Sequence, residues 1–150
     1  MMNIKENITA QLKTAMLERD EFLTGVLRDL KAAILNEEIK QVKRDEGLSD
    51  EEVEQVIAKQ VKQRDDSIEI YKAAGDDARA EKEIAEREVL AKFLPEPLGE
   101  EELREIVAKA VSGGEFTIKD MGRIIGEIKK EVGTRGDGAL IAKIVKEALN

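Results

Sequence analysis

The stretch Leu90-Ala91-Lys92-Phe93-Leu94-Pro95-Glu96-Pro97-Leu98 decides how the chain is organised. Up to Leu94 it reads as helix. Pro95 and Pro97 are then the only prolines in 150 residues. Proline drives the residue before it out of the α region, so two of them one residue apart end any helix that arrives. This divides the chain into an N-terminal helical bundle over 1–94, a Pro hinge over 95–98 and a C-terminal three-helix lobe over 99–150. A chain of this length fits one domain or two small lobes.

Upstream, apolar residues recur every three to four positions, the period of an amphipathic helix. Ile4, Ile8, Leu12, Ala15 and Met16 form one stripe, with Asn3 as N-cap and Glu6 completing a capping-box-like pair. Phe22, Leu23, Val26, Leu27, Leu30, Ala33, Ile34, Ile39 and Val42 predict a long second helix that stops at Gly47. Ser49-Asp50-Glu51-Glu52 is a capping box for a third, which carries Val53, Val56, Ile57, Val61, Ile68 and Tyr71 and ends at Gly75. A fourth runs from Asp76 or Asp77 to Phe93 or Leu94.

Beyond the prolines, Leu103, Ile106, Val107, Ala110 and Val111 predict a short helix ending at Gly113-Gly114. Thr117 caps the next, with Ile118, Met121, Ile124, Ile125, Ile128 and Val132 facing inward. After the loop Gly133-Thr134-Arg135-Gly136-Asp137-Gly138, a last helix carries Leu140, Ile141, Ile144, Val145 and Leu149. No stretch alternates with the period of a half-buried strand, so the expected fold is all-α, with about four helices before the hinge and three after it.

Composition narrows the chemistry. There is no His and no Cys. Disulfides, zinc fingers, thiol nucleophiles, Ser-His-Asp triads and His-ligated metals are therefore excluded. No catalytic residue, metal or cofactor is expected. The apolar runs are too short for a membrane span. The N-terminus Met1-Met2-Asn3-Ile4-Lys5-Glu6 has no apolar signal core, which predicts a cytoplasmic protein.

Charge is 25 basic against 33 acidic residues, net −8. The excess lies wholly in residues 46–100, with 8 basic and 16 acidic, while 101–150 balances at 9 and 9. The C-terminal lobe holds a local basic group: Arg123, Lys129, Lys130, Arg135, Lys143 and Lys146. Clustered cations of this kind suit phosphates. The acidic section suits a basic protein partner, the alternative function being an interaction adapter.

Three further features have competing readings. Asp65, Asp66 and Glu69, like Glu83 and Glu86, could gather a hard cation, but solvated helix surface is the ordinary explanation. Lys62-Gln63-Arg64 could meet RNA backbone, but Asp65 and Asp66 favour pairing within the helix. The loop 133–138 could offer backbone N–H groups to a phosphate, or be a tight turn with Asp137 as N-cap.

Four ordered strings carry a resemblance: Leu27-Arg28-Asp29-Leu30-Lys31-Ala32-Ala33-Ile34; Lys62-Gln63-Arg64-Asp65-Asp66-Ser67-Ile68-Glu69-Ile70-Tyr71; Leu90-Ala91-Lys92-Phe93-Leu94-Pro95; and Asp120-Met121-Gly122-Arg123-Ile124-Ile125-Gly126 with Arg135-Gly136-Asp137-Gly138. Together they resemble the GatB/YqeY family of small bacterial proteins, from about Ile4 to Leu149. The resemblance implies a helical bundle followed by a lobe similar to the C-terminal tail of the B subunit of the tRNA-dependent amidotransferase. That enzyme is a carbon–nitrogen ligase with glutamine as amido-N-donor. The implied role is an accessory tRNA-binding protein without its own catalytic site, its partners being tRNA or amidotransferase subunits. The RNA-binding residues it points to are Arg123, Lys129, Lys130, Arg135, Gly136, Gly138 and Lys143. The family's usual loop, Lys-Gly-Arg-Ala-Asp-Gly, is basic where this chain has Gly133.

Overall fold

A computed structural model describes residues 2–150. It is all-α, as expected: α1 (Ile4–Leu17), α2 (Glu21–Lys40), α3 (Asp50–Ala73), α4 (Asp77–Ala91), α5 (Glu100–Ser112), α6 (Met121–Val132) and α7 (Gly138–Leu149), with one-turn 3₁₀ helices at Ile118–Asp120 and Gly133–Arg135. The chain forms two compact units, Met1–Leu94 and Pro95–Asn150.

In the first unit α1 packs on α2 and α3 on α4, and the two hairpins share one core. Ile8, Leu27, Leu30, Val53, Ile57 and Leu90 are its fully buried members. Burying one such side chain contributes about 1.5–3 kcal/mol, and this replaces the staples the composition lacks. The helix starts follow local chemistry. Asn3 Oδ1 accepts the Glu6 N–H at 2.8 Å, and Ser49 and Glu52 cap each other reciprocally. The Ile4 N–H reaches across to Asp50 Oδ1 at 3.0 Å, tying the start of α1 to the start of α3.

The ends of α1, α2 and α3 share one device. In each, the residue after the C-cap turns left-handed and the next N–H bonds back five residues: Asp20 to Ala15, Lys43 to Glu38, Asp76 to Tyr71. This is the Schellman motif, which favours glycine. Gly75 supplies it for α3, but Arg19 and Val42 hold the same conformation with φ of 57°.

Four expectations need correction, three of them in this unit. The second helix does not run through Val42. It ends at Lys40, and Val42 is 91% exposed. Ile39 also faces solvent, while its neighbour Glu38 is buried at 4% exposure. The Glu38 carboxylate accepts from Lys5 Nζ at 2.6 Å and from the Leu48 N–H at 3.0 Å. Burial pushes its pKa up, but the Lys5 bond, the Leu48 bond and the Lys5 charge outweigh burial and hold it below the usual value. Gly47 sits against this pair, where a Cβ would lie 3.3 Å from Glu38 Oε2.

The third correction concerns Arg64. It does not pair with Asp65 or Asp66 on its own helix. It reaches across to Glu83 and Glu86 of α4, and Arg87 reaches back to Asp65. Those carboxylates are therefore the partners of cations in the α3–α4 seam. Among the described residues no group of three acidic side chains converges as a metal site would require.

In the second unit α7 packs on both α5 and α6. Leu103, Val107, Ile124, Ile128, Ile141, Ile144 and Val145 form the buried core. Ile118, expected inward, is exposed because residues 118–120 form a separate 3₁₀ turn before α6. Thr117 and Asp120 cap that turn reciprocally.

Candidate nucleic-acid interface

The second unit holds the seven RNA-binding residues to which the family resemblance points. Arg123 is exposed near the start of α6; its guanidinium lies 5.3 Å from the Phe116 ring centroid and 3.7 Å from Asp120. Lys129 and Lys130 are exposed in the last turn of α6, where cations also complement the helix dipole. Lys143 is exposed on α7 with Lys146 one turn further on. Among the described residues Lys129, Lys130, Lys143 and Lys146 have no carboxylate within 4 Å, whereas Arg104 is held between Glu100 and Glu147.

Arg135, Gly136 and Gly138 have structural duties. Arg135 Nε donates to the Glu96 carbonyl at 3.0 Å, and the Arg135 carbonyl accepts the Leu98 N–H at 2.7 Å. The segment after the two prolines is thus fastened to the loop before α7. A Cβ on Gly136 would come within 2.5 Å of Val132 Cγ2 and 2.9 Å of Ile141 Cδ1. Glycine is required there because the loop lies directly on the core. Gly138 is covered by the Lys129 side chain, with Cε 3.2 Å from where a Cβ would stand. The first free N–H groups of α7 go to Asp137, whose Oδ1 accepts from Ala139 at 2.9 Å and Leu140 at 3.4 Å. The loop is therefore built as a tight turn with Asp137 as N-cap.

Two residues of the surface were missed as site candidates. Gly122 and Gly126 lie one turn apart on α6, both exposed, and a Cβ on either would meet nothing within 4 Å. Glycine in a helix interior costs about 1 kcal/mol relative to alanine, and here no packing contact requires it. The result is a bare strip of backbone. The turn spacing places Lys129 next along that strip, with Arg123 and Lys130 sharing the adjoining face seven residues apart. The signal was in the sequence, as glycines at i and i+4 inside an otherwise strong helical pattern.

The fold and these surfaces define a two-unit helical protein whose second unit offers an exposed, partly unpaired cationic face. The family model described as Yqey-like protein matches residues 5–149, and the chain belongs to that family. It is also similar to the altered inheritance of mitochondria protein 41, mitochondrial, of Pyrenophora tritici-repentis (strain Pt-1C-BFP). The two are 28% identical over 147 residues, which is 95% of this chain and 78% of the relative. The mitochondrial location in that name overturns the cytoplasmic expectation drawn from the N-terminus. The physical reason is plain: an absent apolar core excludes a secretory h-region only, because organellar transit segments are amphipathic rather than apolar.

Proposed function

We propose that this protein is an accessory tRNA-binding protein that meets RNA phosphates with the α6–α7 side of its second unit. The observation that carries the reading is the α6 surface: the bare strip at Gly122 and Gly126, flanked by Arg123, Lys129 and Lys130. A strip without side chains admits a sugar–phosphate backbone close to the helix while the flanking cations neutralise its charge. Lys143 adds an exposed cation on α7. Structured RNA is recognised largely through backbone and 2′-hydroxyl contacts, for which such a surface suffices. Family membership and the likeness of the C-terminal strings to the amidotransferase tail support the same reading.

The test is an electrophoretic shift series with total tRNA at low and moderate salt. Binding should weaken with salt, and removing one phosphate-contacting lysine should reduce the salt slope by about 1. Absence of salt-sensitive binding at tens of micromolar protein, on the order of the weak non-specific range, would sink the reading.

A further inference from the structure

We propose that the α1–α2 face of the first unit is a docking groove for an acidic amphipathic helix of another protein. A groove of roughly 370 Å³ lies between these helices, walled by Ile8, Thr9, Ala32, Ile34 and Leu35 and rimmed by Lys5 and Lys31. Its apolar wall continues outward. Leu35 is 42% exposed and Ile39, one turn on, 52% exposed. At the other end Met16 is exposed beside Arg28, whose Nη2 lies 3.8 Å from Met16 Sδ.

The charge on this face selects the occupant. Lys13, Arg28 and Lys31 are exposed and, among the described residues, have no carboxylate within 4 Å. The groove's own carboxylate, Glu38, is buried and already engaged by Lys5 and Leu48. Glu6 and Glu46 line a neighbouring depression beside Gly47 and Leu48, which shares Lys5 and Thr9 with the groove. In a chain of net charge −8 this leaves a local apolar groove edged by the unpaired Lys31, with the unpaired Lys13 and Arg28 further along the face beside Met16. An amphipathic helix with apolar anchors three and four residues apart and glutamates or aspartates at its edges matches both features. The apolar side chains wall a concavity that can receive an anchor residue, which favours a helix over a flat lipid surface.

The probe is a fluorescent synthetic helix of about 18 residues with leucines at three- and four-residue spacing and glutamates at its edges, titrated with the full-length protein. Anisotropy should report salt-sensitive binding, weakened about tenfold by Lys31→Glu and by Leu35→Ser. Both positions are exposed, and thermal melts of each variant check that folding is retained. A lysine-edged version of the probe should not bind. Equal binding of the two probes, no binding at about 100 μM protein, or insensitivity to both substitutions would overturn the proposal. So would binding to phosphatidylserine vesicles in place of the peptide, which would assign the face to a membrane. Self-association in sedimentation that Leu35→Ser abolishes would overturn it in favour of a second copy of this chain.

Discussion

Arg135 holds Glu96: its Nε donates to the Glu96 carbonyl at 3.0 Å, while its own carbonyl takes the Leu98 N–H at 2.7 Å. One residue of the loop before α7 thereby fixes both sides of Pro97. A side chain that the family resemblance offers to RNA has a structural task in this fold, and the two roles can be separated. Arg135→Lys keeps the charge but lacks the Nε–H that is aimed at Glu96. It should lose about 1 kcal/mol of stability in urea titration, much like Arg135→Ala, while tRNA affinity stays near wild type. If Arg135→Lys matched wild type in stability and lost RNA binding, the guanidinium would belong to the RNA contact instead.

The buried Glu38 gives a pH signature. Its carboxyl pKa is lowered in the folded protein, against burial, by the Lys5 and Leu48 hydrogen bonds and the Lys5 charge. The stability this contributes is fully present above the unfolded value, about 4.3, and is lost as pH falls through the lower folded value. Glu38→Gln leaves Lys5 without its charged partner and should cost about 2 kcal/mol at neutral pH. Urea midpoints followed from about pH 7 to about pH 3 should show the gap between the two proteins narrowing on acidification. A gap that stays constant with pH would contradict this account of Glu38.

Two glycines of the loop before α7 should respond differently to the same substitution. Gly136→Ala drives a methyl into Val132 and Ile141 and should cost about 2 kcal/mol, read from the thermal or urea midpoint. Gly138→Ala meets only the flexible end of Lys129 and should change stability by less than about 0.5 kcal/mol. Equal losses at both positions would mean that contact with the core is not what demands glycine at 136.

Val42 is a β-branched residue held left-handed at the end of α2, with no packing to compensate. That conformation costs an L-residue roughly 1–2 kcal/mol that glycine avoids. Val42→Gly should therefore raise stability by about 1 kcal/mol, less whatever glycine adds to the entropy of the unfolded chain. A loss of stability in urea titration would show that the Val42 side chain makes a contact worth more than the strain.

The helices were legible because their signals are local. The 3.6-residue stripes, the reciprocal cap at Ser49 and the left-handed Gly75 all lie within a few residues of what they control. The misreadings share an opposite cause. Ile39 and Val42 fit the period of the second helix, but burial was decided by Lys5 and Leu48, which draw Glu38 inward and leave Ile39 outside. Sequence adjacency suggests Asp65 and Asp66 as partners for Arg64, although side chains one and two positions along a helix do not face each other. Its partners Glu83 and Glu86 are about twenty residues ahead and come within reach only when α3 and α4 pack. For the candidate interface, the cations were visible as a composition feature. The obligations of Arg135 to Glu96 and of Gly136 to the core were not, since each depends on contacts made after folding.

Gly122 and Gly126 provide the sharpest separation of stability from binding. Both sit inside α6 at ordinary helical positions with open space where a Cβ would go. Alanine at each should stabilise the second unit by roughly 0.5–1 kcal/mol by restricting the unfolded chain and favouring helix. The same two methyls would stand on the strip through which an RNA backbone is proposed to approach. The double variant should thus unfold at higher urea concentration than wild type and yet bind total tRNA several-fold more weakly, with its salt slope little changed because no cation is removed. A variant that is both more stable and equally good at binding would remove α6 from the interface and shift attention to Lys143 and Lys146 on α7. One that is less stable would mean that these glycines answer a packing need inside the unit.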